Sequence, residues 1–237
     1  MTPPTANEIQ ILALSLKVAG FSVLCSLPVA VLVAFALARF TFPGKTVVDA
    51  IVHLPLVLPP VVVGFALLVL FGKQGPIGSW LDRWFGIVLA FRWTGAALAS
   101  AVMGFPLMVR AIRLSIEAID RRLEVAARTL GASRLWVLFS ITLPLALPGI
   151  VTGTLLSLAR GLGEFGATLI FAGSLQGVTQ TLPLAIYAQF DQDFDTALAI
   201  SALFVIVGAL LLLTLRLYGW LRFASIFRSR FATSTSS

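Results

Sequence analysis

Residues 119–144 read IDRRLEVAARTLGASRLWVLFSITLP, and this stretch marks where the chain passes from a charged surface segment into an apolar span. Over Ala118–Leu130 the residues Ile119, Leu123, Ala126, Ala127 and Leu130 recur at helical spacing on one face. Asp120, Arg121, Arg122, Glu124 and Arg128 cover the other face, and Gly131 stands where a helix C-cap glycine belongs. A short amphipathic helix of this kind either lies in the membrane interface or forms a ridge that docks into a groove on a soluble partner. Its composition favours neither.

Outward from this stretch the chain is apolar. Of its 237 residues, 59% are hydrophobic and 11% charged, with a mean hydropathy of +1.01. Soluble domains carry about 25% charged residues, so the composition excludes a cytosolic enzyme, a nucleic-acid-binding domain and a disordered chain. Runs of about 20 apolar residues predict five spans, near Ile9–Ala38, Val47–Phe71, Gly86–Val109, Leu135–Leu158 and Thr196–Trp220. A shorter run, Gly166–Gly173, follows Gly161 and Gly163 and reads as the continuation of a broken fourth span or as a re-entrant piece. The fold class is an all-α membrane protein, a single transmembrane domain over 1–237 with a loop at about 111–134 and a short disordered tail, 231–237. The start, MTPPTANEIQ, lacks the basic region of a cleaved signal and reads as a retained first span. Cys25 is the single cysteine, so no disulfide or cysteine-based metal site is expected.

The net charge of +7 is an address rather than a nucleic-acid surface. Arg39 and Lys45 lie in the first connection; Arg110, Arg113, Arg121, Arg122, Arg128 and Arg134 in the third; Arg216, Arg222, Arg228 and Arg230 at the C-terminus. The positive-inside rule then predicts an outside N-terminus and a cytoplasmic C-terminus, which five spans allow. Lys17 and Arg92, inside apolar runs, are expected to snorkel to a membrane face.

HLPLVLPPVVVG, from His53, holds Pro55, Pro59 and Pro60, and no regular helix accommodates them. The break either lines a cavity or is a packed kink. His53 reads as a packing histidine. Gly44-Lys45-Thr46 imitates the end of a phosphate loop, but Arg39 stands where the required glycine should be. Gly161-x-Gly163-x-x-Gly166 spells a dinucleotide fingerprint without the strand that gives it meaning. No His/Asp/Ser grouping, HExxH or carboxylate pair supplies an active site. Glu164 follows Arg160 by four residues, which on a helix makes a neutralising pair, either structural or part of a gate.

The run Glu124-Val-Ala126-Ala127-Arg-Thr-Leu-Gly131, then nine residues and Ile141-Thr-Leu143-Pro144, resembles the "EAA" loop of ABC importer permeases. One departure stands out: Val125 occupies the place of the usual acidic residue, and the carboxylate sits one position earlier at Glu124. LPLVLPPVVVGFALLVLFGKQGPIG from Leu54, GLGEFGATLIFAG from Gly161 and TQTLPLAIY from Thr179 are similar to the molybdate/tungstate permeases. Sulfate permeases share the Gly-Glu-Phe-Gly core and supply the alternative reading.

The resemblance implies a type I importer permease in the bacterial inner membrane that carries molybdate or tungstate into the cytoplasm. Its expected partners are a second copy of the chain, two cytoplasmic ATPase subunits and an extracytoplasmic binding protein, with no nucleic acid. It implies no bound cofactor and no enzyme activity of its own, ATP being used by the partner. Glu124, Ala126, Ala127, Gly131, Ile141, Leu143 and Pro144 would form the coupling element. Pathway and gate residues are expected at the broken fourth span: Thr154, Arg160, Glu164, Phe165 and Thr168. A secondary transporter would instead carry coupling carboxylates or an inverted repeat, and a membrane enzyme would carry clustered His or Asp at one face.

Overall fold

The computed structural model describes the backbone of residues 6–234 and the side chains of 7–214 and 217. The first five residues, positions 235–237 of the tail, and the side chains of Arg216, Arg222, Arg228 and Arg230 lie outside the described residues. Every regular element among the described residues is a helix. In chain order these are α1 (Ala6–Arg39), α2 (Lys45–Val57), α3 (Pro60–Phe71), α4 (Pro76–Phe85), α5 (Trp93–Glu117) and α6 (Arg121–Thr129). Then come α7 (Arg134–Val137), a π-helical turn over Leu138–Thr142, α8 (Leu143–Leu162), α9 (Gly166–Ala172), α10 (Leu182–Gln189) and α11 (Phe194–Ser234).

Four stretches are long and apolar enough to cross a membrane: Asn7–Arg39, Trp93–Glu117, Arg134–Leu162 and Phe194–Thr214. The fifth expected span is the pair α2 and α3, bent by 117° at Leu58-Pro59. Pro60 opens α3 at its first position, where a missing N–H costs nothing, so the proline run ends one helix and starts the next. Gly166–Gly173 does not cross: α9 has seven residues, about 10 Å of helix against a hydrocarbon core of about 30 Å.

The third span differs from the sequence expectation at both ends. Gly86 (φ +64) caps α4, and the apolar 87–91 run is not helical: it ends in a turn with Phe91 left-handed (φ +58), its N–H donating to the Phe171 carbonyl at 3.2 Å. The helix begins only at Trp93 and continues past Val109 to Glu117, because Ile112 and Ile116 keep facing the core and are fully buried. Lys17 places its ammonium 4.0 Å from the Trp93 ring centre, a cation–π contact at the mouth of this helix.

The core is three helices, α1, α5 and α8, with α5 at the centre: 61% of its span is buried, against 11% for α11. Lipid gives helices no hydrophobic reason to associate, so close van der Waals contact between small residues must do it. Ala19, Ala30 and Ala34 of α1 are fully buried. Gly104 of α5 lies against Ser157, and a Cβ at Gly153 of α8 would sit 2.9 Å from the Met108 carbonyl oxygen. A Cβ at Gly149 would collide with the Ser115 side chain and lie 2.8 Å from the Ala111 carbonyl oxygen. Buried hydroxyls on α1 are satisfied locally: Ser22 donates to the Ala19 carbonyl at 2.8 Å and Ser26 to the Ser22 carbonyl at 2.7 Å. Ser15 donates to the Ile11 carbonyl at 2.9 Å and accepts the Leu182 N–H at 2.8 Å, which caps the start of α10. Before α11, Asp193 accepts the Thr196 hydroxyl at 2.6 Å and its N–H at 3.1 Å. These two bonds, the hydroxyl's first, hold its carboxyl below the usual carboxylate range.

At Gly149, alanine should lower the thermal midpoint of the detergent-solubilised protein by an amount corresponding to about 1–3 kcal/mol of overpacking. Gly20→Ala, where nothing lies within 4 Å, should leave the midpoint in place. Equal midpoints for the two variants would contradict the close α5–α8 contact.

Candidate functional sites

The segment after α5 is built by local capping. Asp120 accepts the Arg122 N–H at 2.9 Å and starts α6. Nine residues later the helix stops in a Schellman arrangement: the Ala132 N–H reaches the Ala127 carbonyl at 3.1 Å and the Gly131 N–H the Arg128 carbonyl at 3.0 Å. Gly131 has φ +92, a left-handed conformation that a side chain would strain. The helix is therefore shorter than the expected Ala118–Leu130 by three residues at its start and one at its end, and Ile119, expected on its apolar face, lies before it, buried after the end of α5. Ser133 then accepts the Trp136 N–H at 3.2 Å to cap α7.

The orientation of α6 distinguishes the two readings of its amphipathicity. Leu130 is 88% exposed and Leu123 half exposed, with Ala126 open between them, while no residue of α6 is buried. The apolar stripe points away from the protein. The opposite side, Arg121, Glu124 and Arg128, faces the spans, and Glu124 makes the contact: its Oε1 accepts Arg39 Nη2 at 2.8 Å and the Thr142 hydroxyl at 3.0 Å. Arg39 closes α1 with its side chain 7% exposed, and Thr142 is buried at the end of the π turn. One carboxylate thus joins the surface helix to the ends of two spans. Pro144, within the first turn of α8, cannot donate a backbone hydrogen bond, and the wide turn over Leu138–Thr142 precedes it directly. Ile141 in the turn and Leu143 at the start of α8 flank Thr142. Sequence reasoning missed Arg39 and Thr142; the threonine inside Ile141-Thr-Leu143-Pro144 was the available signal, but nothing in the spacing shows that it meets Glu124.

The second cluster lies where α8 ends. Arg160 and Glu164 form the expected i,i+4 pair, with Nη1 2.5 Å from Oε2 and Glu164 1% exposed. The contact is an ion pair without the alignment of a hydrogen bond. Glu164 Oε1 accepts the Ala167 N–H at 2.9 Å, so the same carboxylate caps α9 beyond the break. Thr168, one helical position on, is buried with its hydroxyl unpartnered among the described residues. The Phe165 ring packs 5.3 Å from that of Tyr187. Arg160, Glu164, Phe165 and Thr168 are brought together; Thr154 is not, lying six residues or about 9 Å of helix before Arg160.

The two breaks meet each other. A Cβ on Gly166 would lie 3.1 Å from Pro60 Cβ, and one on Gly64 would lie 2.6 Å from the Ala167 carbonyl oxygen. The proline break of α2–α3 and the glycine break of α8–α9 therefore cover one another inside the protein. His53 belongs to neither break: its Nδ1 is 2.9 Å from the Asp49 carbonyl, and Arg113 Nη1 reaches the Asp49 carboxylate at 2.9 Å. Among the described residues no group of three or more His, Cys, Asp or Glu could hold a metal ion.

Helices that cross, two that break against each other, and a capped surface helix between spans together make a membrane permease of the ABC importer type. The solved alginate importer has this fold, with a TM-score of 0.70 at 20% identity over 90% of this chain and 79% of that one. A solved amino acid ABC transporter matches with a TM-score of 0.64 at 19% identity over 92% and 98%. The chain belongs to the family of binding-protein-dependent transport system inner membrane components, whose pattern matches residues 26–224. It is similar to the molybdenum transport system permease protein ModB of Escherichia coli (strain K12), 53% identical over 95% of this chain and 97% of that protein. The ModB of Haemophilus influenzae is 57% identical over 76% and 79%. The sulfate transport system permease protein CysT of Escherichia coli (strain K12) is 39% identical over 77% and 65%. As a member of this family the chain is a transport subunit of the inner membrane.

Replacing Glu164 with Gln should leave Arg160 without its counter-ion and lower the melting temperature, a cost on the order of 1–3 kcal/mol. The double variant Arg160→Gln/Glu164→Gln should regain part of that loss. Strictly additive effects in thermal unfolding would mean that the two side chains do not act as a pair.

Proposed function

We propose that the chain is the permease of an ATP-driven importer that carries molybdate, or the isostructural tungstate, into the cytoplasm. It works as a homodimer with two cytoplasmic ATPase subunits and an extracytoplasmic binding protein. The substrate reading is supported by the greater identity, over more of the chain, to molybdenum permeases than to a sulfate permease. The positive-inside rule puts α6 and the C-terminus in the cytoplasm and the N-terminus outside.

The observation that carries the coupling reading is the outward apolar stripe of α6, Leu123–Ala126–Leu130, on a helix tied down by Glu124. It is a ridge suited to a groove on each ATPase. Ala126, Ala127 and Gly131 shape this ridge, and Ile141, Leu143 and Pro144 shape the turn into α8. Glu124 acts from the inner side, as a positioning residue. Closure of the ATPases on ATP would bias the permease between inward- and outward-facing arrangements, ATP binding elsewhere and no cofactor binding here.

The junction of the two breaks is the proposed gate region, with Arg160, Glu164, Phe165 and Thr168 as its side chains and Thr154 further along the path. The N-terminal ends of α3 and α9 converge there, which gives the junction the positive ends of two helix dipoles. Pairing with Arg160 removes the one fixed negative charge of that region, as a doubly charged oxyanion requires.

Gly131→Leu would force a left-handed residue at a cost of about 1–2 kcal/mol and displace the ridge. Membrane insertion should persist while ATP hydrolysis no longer drives uptake; full uptake by this variant would remove Gly131 from the coupling element. In proteoliposomes of the whole complex, ATP-dependent uptake of radiolabelled molybdate should be displaced by tungstate and not by sulfate. Displacement by sulfate at equal concentration would move the assignment to the sulfate class.

A further inference from the structure

Between α6, the end of α1, and α7 with the π turn lies a cavity of about 450 Å³. Four arginines line it, Arg39, Arg121, Arg128 and Arg134, against one carboxylate, Glu124. Arg39 is the telling member. Its side chain is 93% buried, since only 7% is exposed, and although Nη2 is spent on Glu124, its buried Nε has no partner among the described residues. A buried guanidinium donor without an acceptor is costly, and a surplus of guanidinium groups around a cavity calls for an anionic oxygen group.

A second cavity, about 660 Å³ and almost wholly apolar, continues along α1 and from the π turn onto α8. Leu138 lines both cavities. On α1 the lining runs from Leu27 through Val31 and Phe35 to Arg39, one position per helical turn on a single stripe. From Leu27 to Arg39 is twelve residue steps, about 18 Å of helix, close to the roughly 15 Å thickness of one hydrocarbon leaflet. The exposed side chains of Leu32, Phe139 and Leu147 edge this groove. A free oxyanion would use the upper cavity and leave the lower one with nothing to bind.

We propose that the paired cavities form a binding site for one anionic phospholipid of the leaflet on the α6 side. Its phosphate sits among Arg39, Arg128 and Arg134, and an acyl chain lies in the groove between α1 and α8. The phosphate balances the guanidinium surplus of the cavity, and the lipid becomes part of the seat on which α6 rests. Charge selects the headgroup: a zwitterionic lipid brings an ammonium into a cavity already in cationic excess.

The test is native mass spectrometry of the full-length permease released from nanodiscs containing phosphatidylcholine with a minor fraction of phosphatidylglycerol. Wild type should retain phosphatidylglycerol in preference to phosphatidylcholine. Arg128→Gln/Arg134→Gln should weaken that retention about thirtyfold, the effect of two basic side chains near a charged lipid. Leu32→Trp, which fills the groove edge without touching any charge, should weaken it as well. Unchanged retention in both variants overturns the site. So does displacement of the lipid by millimolar inorganic phosphate or molybdate, which would mark a simple anion site. Two further outcomes also overturn it: Leu32→Trp altering dimer formation with lipid retention intact, or the arginine pair weakening only the hold on the ATPase. Lipid retention is read without substrate or ATP, so its failure is separate from any failure of the import reading.

Discussion

In hydrocarbon no water is available to satisfy a backbone amide or carbonyl, so a helix that breaks there must hand its freed groups to protein. This chain breaks twice and solves both with one contact. The bend of 117° at Leu58-Pro59 and the interruption at Gly163-Glu164-Phe165 lie face to face, with Gly64 against Ala167 and Gly166 against Pro60. Glu164 completes the arrangement, its two oxygens divided between Arg160 and the first turn of α9. The three-helix core of α1, α5 and α8 holds these ends in register, and its close contacts depend on residues too small to keep the backbones apart.

Much of this architecture is legible in the sequence, because the bilayer imposes simple lengths and periods. Spans at α1, α8 and α11 follow from run length, and the breaks follow from Pro59-Pro60 and from Gly163 and Gly166. The Arg160–Glu164 pair follows from an i,i+4 spacing. The third span is misread at its ends for a physical reason: residues 87–91 are apolar yet form a loop and turn held by a backbone bond to Phe171, and hydropathy does not separate an apolar loop from a helix. The Arg110–Glu117 segment is charged but helical because Ile112 and Ile116 continue the buried stripe.

What sequence spacing does not carry is contact across long separations. Arg39 and Glu124 are 85 positions apart, and Ser15 and Leu182 are 167 apart. Neither pairing has a local pattern. The same limit explains why the two breaks, each evident alone, give no sign that they touch. It also explains the inversion at α6. Helical spacing defines its two faces, but only the positions of Arg39 and Thr142 decide that Glu124 points in and the leucines point out.

The Glu124 contacts have a mechanical consequence. A surface helix held only through its two chain ends would swing on them like a loose handle and absorb much of any force placed on it. Here a third attachment, from mid-helix to the foot of α1 and the head of α8, gives it a tripod mounting. A push delivered to the leucine ridge is therefore shared between two spans that are distant in the chain, and it arrives in the membrane as a displacement of the bundle rather than as bending of one linker.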